Sequence, residues 1–77
     1  MKTCIATVTS LNIAIKAQRA LGREGIFSRV VRVDPRSTKR GCSNGIEFSL
    51  SEMSEAKRVL RMIGVTNPQF IESEGEL

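Results

Sequence analysis

Cys42 lies in the polar run Pro35-Arg36-Ser37-Thr38-Lys39-Arg40-Gly41-Cys42-Ser43-Asn44-Gly45, with cations before it and a glycine on either side. A cysteine that only packs usually belongs to an apolar run. The thiolate is the reactive form of cysteine, and neighbouring Lys or Arg charge favours it. The spacing therefore marks Cys42 as a candidate nucleophile. Arg36, Lys39 and Arg40 would supply positive potential, and Ser10, Ser43 and Asn44 would supply hydrogen bonds to the sulfur. The second cysteine, Cys4, stands beside Ile5, Ala6 and Val8 and reads as a buried packing thiol.

Other chemistries find little support. The sequence has no histidine, which removes the commonest general base and metal ligand, and two cysteines alone do not complete a structural zinc site. No metal and no cofactor is expected. The absence of histidine argues against both metal catalysis and Cys-His catalysis. A net charge of +4 and a pI near 9.7 allow nucleic acid, a membrane surface or an acidic protein as partner. The start Met1-Lys2-Thr3-Cys4 lacks the apolar stretch of a signal peptide, and no run approaches the ~20 apolar residues of a bilayer span. A reduced, cytoplasmic protein without a membrane segment is the expectation.

The elements that must position Cys42 follow from periodicity. The length of 77 residues fits one domain close to the lower size limit for a self-sufficient core. Cys4 to Val8 reads as a strand. Ser10 then caps a helix over about residues 11–24, with Leu11, Ala14, Ala17 or Gln18, and Leu21 on its apolar side and Gly25 as its stop. Ile26 to Val33 reads as an edge strand, its Arg29 and Arg32 discouraging further pairing. Ile46, Phe48 and Leu50 alternate with Glu47 and Ser49, the pattern of a strand buried on one face. Ser51 caps a second helix with Met53, Ala56, Val59 or Leu60, and Ile63 inward, and Gly64 ends it. Val65 to Ile71, interrupted by Asn67-Pro68, fits a final edge strand. The domain then spans residues 1–71, and 72–77 form a disordered acidic tail.

The order β-α-β-β-α-β predicts an α+β, ferredoxin-like two-layer sandwich with a four-stranded antiparallel sheet ordered 4-1-3-2. In that topology the end of the first strand, the start of the first helix and the Cys42 loop share one edge of the sheet. A helix N-terminus also favours a thiolate. Cys4 belongs about 13 Å away, at ~3.3 Å per residue of strand, beyond disulfide reach of Cys42.

These residues resemble a family. The opening strand with Thr9-Ser10, the helix carrying Ala14, Lys16, Ala17, Ala20, Leu21 and Gly25, the valine-rich strand, the cysteine loop and Gly45-Ile46-Glu47-Phe48 are similar to the small selenium/sulfur carrier-like domains, over about residues 3–71. The resemblance implies a ferredoxin-like fold and a loop cysteine, matched here by Cys42, that carries sulfur or selenium as a persulfide or selenosulfide between donor and acceptor proteins. Many members place glycine directly after that cysteine, whereas here Ser43 and Asn44 precede Gly45. The rival reading is a noncatalytic regulatory or assembly module. Nucleic-acid binding ranks third, because the first strand has no aromatic and Phe48 falls in the register facing the helices, so the sheet lacks the aromatics on which bases stack.

Overall fold

The computed structural model describes residues 2–39 and 41–75. Strand β1 (Lys2–Val8) leads into helix α1 (Leu11–Arg23), and β2 (Ser28–Arg32) and β3 (Asn44–Ser49) form an antiparallel pair. Helix α2 (Met53–Met62) and β4 (Phe70–Glu74) complete the chain. The sheet order is β2-β3-β1-β4, every pairing is antiparallel, and the sandwich is the ferredoxin-like one.

Local chemistry sets the helix ends. Ser10 adopts extended backbone, and its Oγ accepts the Ile13 N–H at 3.2 Å, satisfying one of the donors a helix start leaves unpaired. At the other end Gly25 takes φ +77°, its N–H donates to Gly22, and the Ile26 N–H reaches back to Leu21. That reversal requires a left-handed residue, which glycine adopts without strain.

The expected boundaries differ most at α2 and β4. Ser51 does not cap α2: Leu50–Glu52 form a 3₁₀ turn, Glu52 occupies the cap, and the Ser51 hydroxyl pairs with that of Ser49. Packing of Leu50 against the core draws the chain inward before the helix can start. Strand β4 begins at Phe70, later than expected, and runs to Glu74, so Glu72 to Glu74 pair with β1 and are not a tail. The pairing is made by backbone, which tolerates acidic side chains at a sheet edge. Glu76 and Leu77 of the expected tail lie outside the described residues.

The core lies between the helices and one sheet face, where Phe48, Leu21, Ile46 and Leu60 are fully buried. Burial of each is worth about 1.5–3 kcal/mol. Ala14, Ala17 and Ala20 turn inward from α1, and their small size lets the helix lie close to the sheet. Leu11, expected on that stripe, is exposed. On the open face, Ile5 and Val33 close over Gly45, where an added Cβ would stand 2.7 Å from Ile5 Cγ2. That contact requires glycine.

Candidate functional site

Because β1 ends, α1 starts and β2 turns into β3 at one edge of the sheet, the register pairing Val8 with Asn44 brings the Cys42 loop against the β1–α1 junction. The topology also delivers a fourth segment, the connection from α2 to β4. These four segments enclose a cavity of about 320 Å³. Thr7, Val8, Thr9 and Ile13 line it from the first junction, Lys39 and Cys42 from the loop, and Gly64 to Gln69 from the far wall.

The loop itself is held by short-range bonds. Asp34 caps a 3₁₀ turn, Pro35–Ser37, its carboxylate accepting the Arg36 N–H at 3.0 Å. The Arg36 guanidinium folds back onto the same carboxylate, at 3.0 and 3.2 Å. These bonds, the side-chain one foremost, hold Asp34 below the usual carboxylate range. Thr38 Oγ1 lies 3.3 Å from the Cys42 carbonyl, and Gly41 takes φ +67°. The Val33 N–H donates to Ser43 O at 3.1 Å, leading the chain into β3.

Gln69 ties this loop to the sheet. Its Oε1 accepts the Lys39 N–H at 2.9 Å, and its Nε2 donates to Ser37 O at 3.4 Å. Its backbone exchanges bonds with Thr7, N–H to Oγ1 at 3.2 Å and Thr7 N–H to Gln69 O at 2.9 Å. One residue thus joins the cysteine loop, β1 and β4.

The residues named from sequence divide accordingly. Cys42 and Lys39 line the cavity, and Cys42 is recessed, only 9% exposed, although its polar loop would by itself leave a thiol open to solvent. Ser10 serves α1 as its cap, and Arg36 is engaged with Asp34. Ser43 and Asn44 form the entry to β3 and are not part of the cavity lining. Arg40 lies outside the described residues. The far wall, Gly64 to Gln69, escaped the sequence reading because Val65 to Ile71 reads as a strand. The signal was Asn67-Pro68: Asn67 takes φ +48°, a conformation asparagine tolerates better than most residues.

Cys4 is 0% exposed in the centre of β1, opposite Phe48 and Glu72. Burial foremost, and then the Glu72 charge, raise its pKa and oppose its thiolate. Both cysteines are free thiols. Among the described residues, no three or more His, Cys, Asp or Glu side chains are placed to hold a metal ion, and no helix is long and apolar enough to cross a membrane.

Away from the cavity, the open sheet face has no aromatic platform. Phe48 is in the core, Phe70 is partly buried with Lys57 Nζ 5.3 Å from its ring centre, and exposed Phe27 precedes edge strand β2. Glu47 on this face is 3% exposed, accepting from Thr3 Oγ1 at 2.6 Å and from Arg29 Nε at 2.7 Å. Burial alone would raise its pKa, but the Thr3 and Arg29 bonds and the Arg29 charge outweigh it, and the carboxyl is held below its ordinary value.

A ferredoxin-like sandwich with a single recessed loop thiol at the helix-α1 edge is the class these observations define. Residues 3–72 match the family described as "Putative Se/S carrier protein-like", and the chain belongs to that family. No curated protein matches it.

Proposed function

We propose that this protein is a sulfur or selenium carrier that holds the atom on Cys42 as a persulfide or selenosulfide. The observation that carries the reading is the placement of Cys42 in a cavity shared with the start of α1 and with Lys39. Accepting a sulfane sulfur needs a thiolate and room for the donor, and no general base. Lys39 is the supporting charge, and the helix start favours an anion in the same place. Ser10 and Arg36 act on the scaffold, and Ser43 and Asn44 set the direction of the loop. Family membership supports the same reading.

Inorganic polysulfide, offered in limited amount to the reduced protein, should add one sulfur to Cys42 in preference to Cys4, as read by peptide mass mapping. Reductant should remove it and Cys42→Ser should abolish it. Equal labelling of both cysteines, or none, would return the function to an assembly module. For such a module the partly buried Ile5, Val31, Val33 and Ile71 on the open sheet face would be the binding surface.

A further inference from the structure

The recess around Cys42 restricts what can deliver the atom. Resting on the carrier reading, we infer that the donor is a low-molecular-weight, carboxylate-bearing hydropersulfide, R–S–SH, or its selenium analogue R–S–SeH, which enters the cavity, and not a persulfide held on a second folded protein.

Three observations favour this donor. First, the thiol is only 9% exposed, and the new bond forms at sulfur–sulfur contact, near 2 Å. A folded donor would have to insert a loop, whereas a small molecule needs only the space present. Second, that space is about 320 Å³, at the small end of the ~300–1,000 Å³ typical of ligand pockets. Third, among the described residues the lining contains one charged side chain, Lys39, and no carboxylate, so its local charge favours an anion. The Lys39 ammonium and the side chains of Thr9, Thr66 and Asn67 have no hydrogen-bond or ion-pair partner among the described residues. The Gln69 amide, by contrast, is engaged with the loop.

The step balances without an oxidant. The Cys42 thiolate attacks the terminal sulfur of R–S–SH, the Cys42 S–S bond forms as the R–S to sulfur bond breaks, and R–S⁻ departs. The proton of the SH group remains on the transferred sulfur. With R–S–SeH the same exchange places selenium on Cys42.

The test compares two donors on the intact, reduced protein: cysteine hydropersulfide and a cysteine desulfurase carrying its persulfide. Loading of Cys42 is followed by mass. The small donor should load faster, and Thr66→Trp, at an exposed position of the wall, should slow it by about tenfold. Lys39→Ala should slow both cysteine hydropersulfide and its ethyl ester, the acid by about two- to fivefold more than the ester. Faster loading by the desulfurase, unmoved by Thr66→Trp, would overturn the inference and leave the carrier reading in place. Equal effects of Lys39→Ala on acid and ester would overturn the carboxylate assignment. Failure of both donors to load Cys42 would overturn the carrier reading itself. Circular dichroism of both variants confirms that the fold is retained.

Discussion

Glu47 shows how a single residue can matter to the fold without belonging to the site. Its carboxylate is buried on a face that alternation alone assigns to solvent, and it persists there because Thr3 and Arg29 satisfy both oxygens. Its folded pKa is depressed. Stability from this ion is therefore fully present above the unfolded glutamate value of ~4.3 and is lost as pH falls through the lower folded value. Asp34 is also depressed, but its surface pair with Arg36 contributes little. Glu47→Gln should then cost about 1–3 kcal/mol at neutral pH and flatten the decline of stability below ~pH 4. Urea unfolding at a series of pH values measures both, and wild-type and variant curves that run parallel would contradict the assignment. The sequence shows that Glu47 faces away from Phe48. It does not show that Arg29, read there as a guard on an edge strand, is its partner, because that pairing depends on β2–β3 register.

At the scale of elements, the parts set by short-range rules are the parts legible beforehand. The Ser10 cap, the reversal at Gly25 and the alternation of Ile46 and Phe48 each depend on a few neighbouring residues, and α1 and β3 appear where those residues put them. The start of α2 and the position of β4 depend on long-range packing of Leu50 and on pairing with β1, and both shift. The misplacement of β4 has a functional consequence, since it hides the wall from Gly64 to Gln69 and with it the clamp made by Gln69. Gln69→Ala removes the side-chain bonds to Lys39 and Ser37 but keeps the backbone exchange with Thr7. About 1 kcal/mol of loop restraint should be lost, which corresponds to roughly fivefold faster alkylation of Cys42 by a reagent too large for the cavity, with little change in the urea midpoint. Gln69→Glu, able to accept from Lys39 N–H but unable to donate to Ser37, should fall between the two. An unchanged Cys42 rate in Gln69→Ala would mean that the loop is held by Asp34, Thr38 and Gly41 alone.

Across the whole molecule, the two thiols measure different motions. Cys42 lies at the edge where four segments meet, so small reagents reach it through the cavity and any further exposure follows opening of a loop. Cys4 is fully buried between β3 and β4, and no reagent reaches it while the sheet is intact. A domain of this size is expected to have a stability of about 4–12 kcal/mol. At ~5 kcal/mol, Cys4 would be exposed roughly once in several thousand molecules, and its modification should be slowed by about that factor relative to a peptide thiol. Added urea should accelerate Cys4 with the full dependence of global unfolding, whereas Cys42 should respond weakly below the transition, because opening a loop exposes little surface. Alkylation at increasing urea, with the two sites separated by peptide mapping, tests both slopes in one experiment. A Cys4 rate insensitive to urea would place β1 or β4 among the locally mobile elements. A Cys42 rate as steep as that of Cys4 would make the cavity wall part of the cooperative core and would contradict entry of small molecules through the cavity.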